Sequence, residues 1–386
     1  LVKKYDYIIA GAGCAGLSLL MRMMDDPFFV SKKILVIDAT TKNTNDRTWC
    51  FWETQPDIFE PIVHHQWKSL DFFANSFSGS LSIDPYIYKM IQGIDFYQFV
   101  MNKAAQHSNV EFLQAKVRSL KNSFKEDGAD LVLEDGTVLT ASKIFNSILF
   151  APINVATHQF YFQQHFKGWL IKTEEVCFDS SKATFMDFCI SQVHGTTFMY
   201  MLPLANNKAL LEYTLFTEEL IDQAEYDIAL KKYIKEHLKI DEYTIEHEEF
   251  GIIPMTNVQF PKENGNIVYI GIAGGQAKAS SGYAFKFIQK RTAAIVRALK
   301  NGSSLSSSSF KNAKGHLYDS TLLRVLHERT MNGDEIFAQI FKKNKAADVL
   351  AFLDNESSLI TDLKIMNSVP IKVFLPAALK ELTLFK

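Results

Sequence analysis

The 386-residue chain has only four cysteines, Cys14, Cys50, Cys177 and Cys189, and no Cys-x-x-Cys pair. That excludes a disulfide framework and a cysteine-rich zinc site, and it suits a reducing cytosol. Net charge is nearly absent: 41 basic residues stand against 43 acidic ones, for a formal charge of -2. With no basic stripe interleaved with aromatics, nucleic acid is not an expected partner. Long apolar runs are missing too. Even the C-terminal stretch is interrupted by Lys364, Lys372 and Lys380, so no segment is expected to span a bilayer. Lys3 and Lys4 run straight into a strand-like segment, and no signal peptide is expected. His165 and His194 have no ligand spacing around them; both read as structural, and no metal site is expected. Internal repeats are absent.

What is present is the composition of a folded protein, 47% hydrophobic and 22% charged. Its length suits two closely packed domains. Aromatics are abundant, with 31 Phe, 14 Tyr and 4 Trp. They indicate a Phe-rich core, a large apolar ligand site, or both.

Tyr5 to Ala10 reads as a strand, Cys14 to Met24 as a helix with apolar residues at helical spacing, and Lys33 to Asp38 as a strand buried on both faces. Between the first strand and the helix lies Gly11-Ala12-Gly13-Cys14-Ala15-Gly16. In this setting a GxGxxG has mechanical roles. The first glycine allows a tight turn, the second lets a pyrophosphate approach the backbone, and the third lets helix and strand pack closely. The helix start offers free N–H groups to phosphate. Asp38 ends the second strand, where a carboxylate can bind a ribose hydroxyl. Gly11, Ala12, Gly13, Ala15, Gly16 and Asp38 are therefore candidate dinucleotide ligands. Arg47 lies just beyond, either near the same ligand or on the surface.

A helix is expected around Tyr97 to His107, and a hairpin around Glu134-Asp135-Gly136-Thr137. From Phe160 to Phe216 the pattern is mostly strands, with a turn at Asn206-Asn207; Tyr226 to Leu238 returns to helix. Asn266 to Gly271 reads as a strand, Gly282 to Lys300 as a helix, and Asn301 to Ser309 as a Ser-rich loop before a helical C-terminus. Gly271, Gly274 and Gly275 form a second glycine loop that can close over the rest of a dinucleotide, and this makes FAD the expected cofactor. Ile272 stands where many flavoproteins carry an Asp. The expected fold is α/β: a Rossmann-like FAD-binding domain (1–75, 76–157 and 251–300), an inserted antiparallel β-rich substrate domain (158–250) and a helical C-terminal region (301–386).

Seven stretches extend the picture: GAGCAGLSL at Gly11, NDRTWCFWE at Asn45, QHFKGW at Gln164, FMDF at Phe185, YMLPL at Tyr200, ALLEYTLF at Ala209 and GIAGGQAKASSGYAF at Gly271. In these the chain resembles the FAD-dependent lycopene β-cyclases, in the family's order, to about residue 290. Past Lys300 the likeness is loose. The resemblance implies a flavoprotein that isomerises lycopene or a related acyclic carotenoid with no net redox change. It would work with reduced FAD, and NAD(P)H would be the electron source. It would sit in the cytoplasm, peripherally bound to a membrane that holds the substrate.

Such chemistry needs a proton donor, a stabilised carbocation and exclusion of water. A carboxylic acid in an apolar pocket keeps its proton. Glu212, within Ala209-Leu210-Leu211-Glu212-Tyr213-Thr214, is the candidate acid, although alternation alone leaves a solvent-facing reading open. Asp187 is the second candidate, as orienting group, final base or strand-end hydrogen-bond acceptor. Trp49, Phe51, Trp52, Phe185, Phe188 and Phe198 are candidates to line a polyene tunnel, where ring faces attract a cation. Two other classes remain open on the same fold: a net-redox isoprenoid reductase or monooxygenase, and a non-catalytic isoprenoid carrier. The apolar stretch Val369 to Phe385 is a candidate for the membrane interface or a cap of the domain.

Overall fold

A computed structural model of the chain describes residues 4–123, 127–305 and 310–384. Two large sheets organise it. The first is Rossmann-like. Its parallel strands Lys4–Ala10 and Ile34–Asp38 flank the helix Cys14–Met24, as expected, with Val110–Gln114 beyond them. On the other side Val138–Asn146 and then Ile267–Tyr269 add in parallel, so the late strand reaches Lys4–Ala10 only through Val138–Asn146. The four apolar residues of Ile34–Asp38 are buried on both faces. One face packs on the helices Cys14–Met24, Gly93–Ala104 and Phe285–Asn301. The other packs beneath the hairpin of Ala129–Leu133 with Val138–Asn146.

The second sheet has seven strands, in the order Thr244–Thr256, Tyr161–Lys172, Lys208–Thr217, Thr196–Ala205, Lys182–Asp187, Ser69–Ala74 and Phe77–Ser82. This sheet therefore extends beyond 158–250. It recruits two strands from 69–82 that the sequence division counted with the dinucleotide domain. Leu70, Phe72 and Ala74 alternate inward there, and Ser69–Ala74 pairs in parallel with Lys182–Asp187 inside a sheet otherwise antiparallel. Alternation gives this sheet two apolar faces. Trp169, Leu211 and Leu215 pack on the helix Gln223–Glu236. Phe185, Phe188, Phe198 and Leu210 face the helices Gly333–Lys343 and Ala346–Leu353, and the three-stranded sheet of Thr48–Glu53, His65–Trp67 and Ile87–Gln92.

The helical C-terminal region is built from five helices between Phe310 and Leu384 among the described residues. Of the Ser-rich loop, positions 306–309 lie outside the described residues. No helix among the described residues is long and apolar enough to cross a membrane.

Candidate active site

Cross-strand register on the inner face of the seven-stranded sheet brings the candidate acid into a row with three other residues. Tyr200 lies opposite Glu212, Glu212 opposite Gly168, and Gly168 opposite Glu249. Four neighbouring strands thus carry one row: Tyr200, Glu212, Gly168, Glu249. Strands two apart are separated by about 10 Å, and an ordinary side chain at the middle position would keep the two glutamates apart. Gly168 has none. A Cβ there would lie 2.9 Å from Glu249 Cγ, 3.2 Å from Glu212 Cγ and 3.2 Å from Glu249 Oε1. The two carboxyl groups lean together over the glycine.

Both glutamates line a cavity of about 430 Å³ that runs from this row to the glycine cradle. Glu249 is buried and its Oε2 accepts a hydrogen bond from Thr48 Oγ1 at 2.9 Å. Its Oε1 is also buried and has no N–H or hydroxyl donor among the described residues. Burial, followed by the charge and hydrogen bonding of Glu249, pushes the Glu212 carboxyl well above its ordinary range. The shift favours the neutral, protonated form of the acid.

The wall beside the two glutamates is aromatic and neutral. The Tyr283 hydroxyl lies 3.1 Å from that of Tyr200 and 3.4 Å from that of Tyr88. Burial raises the pKa of all three phenols. Burial and the adjacent Glu212 raise the Cys50 thiol in the same way. This wall therefore offers ring faces and undissociated hydroxyls, which suit a developing cation.

The opposite end of the cavity fits a dinucleotide. Gly11 takes φ +101°, and a Cβ there would strike Ser147 Oγ at 2.1 Å. At Gly16 a Cβ would meet Gly11 O at 1.9 Å and Ile9 Cγ2 at 2.9 Å, so helix and strand touch. At Gly13 a Cβ would meet nothing within 4 Å. The three glycines thus divide into turn, open approach and close packing. Gly13 is also the N-cap of the helix and supplies no side-chain hydrogen bond, which leaves the helix start free for phosphate oxygens. Phe285–Asn301 likewise begins beside the cavity without a side-chain cap. Two buried polar atoms on the lining, Gln164 Oε1 and Ser281 Oγ, have no partner within the described protein and can serve a polar ring system.

The sequence candidates distribute as follows. Gly13, Ala15, Arg47 and Gly271 line the cavity with Glu212. Ala12 N donates to Asp38 Oδ2 at 2.7 Å. Burial alone would raise the Asp38 carboxyl, but the N–H groups of Thr40 and Ala12, with Lys42 nearby, hold it below its ordinary value. Gly274 and Gly275 do not line the cavity. Gly274 packs against Tyr269 O, and Gly275, at φ +69°, ends the short 3-10 turn Gly271–Gly274.

Asp187 is not part of this cavity. After a shift in strand register it accepts from Tyr233 Oη at 2.8 Å and from Cys189 N at 2.8 Å, so each carboxylate oxygen has a donor. Of the aromatic candidates Trp49 lines the cavity, whereas Phe51, Trp52, Phe185, Phe188 and Phe198 do not. Phe51 stacks on Phe285 at 4.4 Å. Trp52 and Phe185 stand behind Tyr283, at 4.7 and 6.3 Å between ring centroids. Phe188 stacks on Phe337, and Phe198 lies edge-on to Tyr200. Trp52, Phe185 and Phe198 thus pack against the tyrosines from behind. His165 is buried between Tyr226 Oη and Thr217 Oγ1, at 2.5 and 2.6 Å from its ring nitrogens, and His194 pairs with Glu225 at 3.1 Å.

Sequence reasoning missed Glu249, Gly168 and the three tyrosines. A signal existed for Glu249. It opens the alternation Glu249, Gly251, Ile253, Met255, whose members face the sheet's interior or the cavity. The second glycine loop is fastened from below by Lys278, whose buried Nζ meets Asp319 at 2.6 Å and Asn355 at 3.0 Å. This links the Tyr283 wall to the C-terminal helices.

Solved structures of similar shape share the fold at low identity. A geranylgeranyl bacteriochlorophyll reductase-like protein from Thermoplasma acidophilum is 12% identical, with a TM-score of 0.64 over 99% of both chains. A probable FAD-dependent monooxygenase from Pseudomonas aeruginosa is 13% identical, with a TM-score of 0.62 over 88% of this chain and 100% of its own. By sequence, lycopene beta cyclases from Capsicum annuum and Narcissus pseudonarcissus are 27% and 29% identical over 61% and 47% of this chain. The chain spans less than half the length of these curated relatives, 45% and 38%. The family model described as lycopene cyclase protein matches residues 6–378, and the chain belongs to the lycopene cyclase family.

Proposed function

We propose that this chain binds FAD and converts the acyclic ends of lycopene, or of a related acyclic carotenoid, to β-rings without net redox change. The observation that carries the reading is Glu212: an acid whose carboxyl burial pushes well above its ordinary range, in an aromatic cavity continuous with a dinucleotide cradle. Gly11, Gly13, Ala15 and Gly16 with the helix start would hold the pyrophosphate, and Asp38 the ribose. Gln164, Ser281 and the start of Phe285–Asn301 are positioned for the ring system. When bound, reduced FAD supplies an electron-rich surface beside the cation, with NAD(P)H as the source of its electrons.

Glu212 delivers its proton to the terminal double bond. Tyr88, Tyr200 and Tyr283 turn ring faces toward the cation and keep water out. Asp187, held by Tyr233 and Cys189, keeps its strand end in place and takes no proton from substrate. Expression in cells that accumulate lycopene is expected to turn the pigment from red to the yellow-orange of β-carotene. Folded, flavin-loaded protein that leaves lycopene unchanged would overturn the reading. NAD(P)H consumed in step with product would point instead to a net-redox enzyme.

A hydrocarbon substrate requires access to lipid. Ile360 and Leu363 on the helix Leu359–Met366, and Ile371, Leu375, Leu379 and Leu382 on Ile371–Leu384, are exposed apolar side chains flanked by lysines. This fits a surface that enters the membrane interface. Each leucine transferred to an apolar phase contributes about 1.5–3 kcal/mol. The double substitution Leu363→Glu, Leu375→Glu is therefore expected to lower vesicle binding about a hundredfold or more in a sedimentation assay. Unchanged sedimentation would remove these helices from that role.

A further inference from the structure

We propose that Glu212 and Glu249 share a single proton across Gly168, and that this pair both delivers the initiating proton and takes back the one released when the ring closes. The inference rests on the cyclase reading for its substrate, but the shared proton itself is a property of the protein alone.

Three observations carry it. The register sets the two glutamates on either side of a residue that has no side chain, and a Cβ at that residue would touch both. Glu249 Oε2 is held by Thr48, whereas the buried Oε1 has no N–H or hydroxyl donor among the described residues. A carboxylic O–H on Glu212 supplies the missing donor. Finally, the groups that face Glu212 are Glu249 from Thr244–Thr256, Tyr200 from Thr196–Ala205, Cys50 from Thr48–Glu53 and Tyr283 from the loop ahead of Phe285–Asn301, with Tyr88 from Ile87–Gln92 next to Cys50 and Tyr283. None of these is a cation. Of the cations lining the same cavity, Lys42 pairs with Asp38 and Arg47 is exposed and reaches Phe250 O. Two bare carboxylates would face each other with no compensating charge, so one proton stays between them.

This explains how one site supplies both an acid and a base. The Glu212 proton passes to the terminal alkene carbon, whose π pair forms the new C–H bond, while the O–H pair stays on the carboxylate. The π pair of the next double bond closes the ring. The pair is then doubly anionic and a strong base, since each carboxylate raises the proton affinity of the other. It removes a proton from the ring carbon beside the cation, and that C–H pair becomes the ring double bond. One proton leaves and one returns, with no electrons gained or lost. Gly168 is the positioning residue.

The test is an infrared pH titration of the flavin-loaded protein without substrate, following the C=O stretch of protonated carboxyl groups. Wild-type protein is expected to keep a protonated carboxyl band well above the ordinary carboxylate range, and Glu212→Gln to lose it. Glu249→Gln removes the like charge, keeps the shape, and is expected to lower the titration midpoint by about one pH unit or more. Gly168→Ala, which forces the carboxyls apart, is expected to lower it too, giving a second route should the first variant fold poorly. A midpoint unmoved by Glu249→Gln or Gly168→Ala overturns the shared proton, even if lycopene is still cyclised. A shifted midpoint in a protein that forms no β-rings supports the pair and overturns the cyclase reading.

Discussion

Glu212→Gln is expected to lower β-ring formation by about a hundredfold or more, with FAD still bound. General-acid groups contribute about 10²–10⁴ in rate. The amide has the size of the acid but no proton to give at any working pH. Tyr88, Tyr200 and Tyr283 offer no substitute, because burial holds their phenols above the ordinary value and makes them poorer acids. Product would be measured by pigment extraction, alongside flavin absorbance and thermal unfolding. Full product yield from a folded, flavin-loaded variant would remove Glu212 from the reaction. The wild-type pH profile carries the same information. Only the protonated acid is competent and its pKa is raised, so activity should extend above the ordinary carboxylate range and fall as pH climbs through that raised value. The shift also weakens folding in the same direction: the folded chain holds a proton that the unfolded chain releases, so stability declines as pH rises.

The second large effect separates two glycines that read alike in the motif. Gly13→Ser puts a side chain where there is open space and supplies a preferred helix N-cap. The cofactor-free protein should be as stable as before or slightly more so. Binding of FAD should weaken about ten- to a hundredfold, because the hydroxyl occupies the phosphate approach and captures an N–H that a charged oxygen would use. Gly16→Ala should do the reverse. Its Cβ would collide with Gly11 O, so the fold itself loses about 1–3 kcal/mol and cofactor binding fails with it. Isothermal titration with FAD and denaturant unfolding distinguish the two. Undiminished FAD affinity in Gly13→Ser would place the pyrophosphate elsewhere.

The limits of legibility follow from the physics of each element. The helix Cys14–Met24 and the strand Ile34–Asp38 were readable because local periodicity and the glycine spacing point the same way. Glu212 was readable as an acid among apolar neighbours, but its facing was not, since Leu210 and Thr214 share its side of the strand. Register supplies the missing fact, and register depends on residues far away in sequence. Glu249 was hidden in a run of charges, Glu246 to Glu249. Glu248 and Glu246 pair with Lys167 and Lys208, and only Glu249 turns into the cavity. Phe185 and Phe188 were assigned to a tunnel because nothing local reveals the C-terminal helices, whose Phe337 and Phe341 they meet. Strands Ser69–Ala74 and Phe77–Ser82 were missed as members of the second sheet, because their parallel partner lies more than a hundred residues on.

That parallel pairing has a consequence for how the polypeptide is made. Residues 69–74 must wait for 182–187 before they are hydrogen-bonded on both sides, and the acid pair requires residue 249 to be in place. The cradle near the amino end meets the loop at Gly271 only afterwards, since the 267–269 strand docks last in chain order on that sheet. Synthesis from the amino end therefore completes the seven-stranded sheet before it completes the Rossmann-like one. Until residues 182–187 are made, the Ser69–Ala74 strand presents an open edge, the kind of exposure that invites pairing between nascent chains.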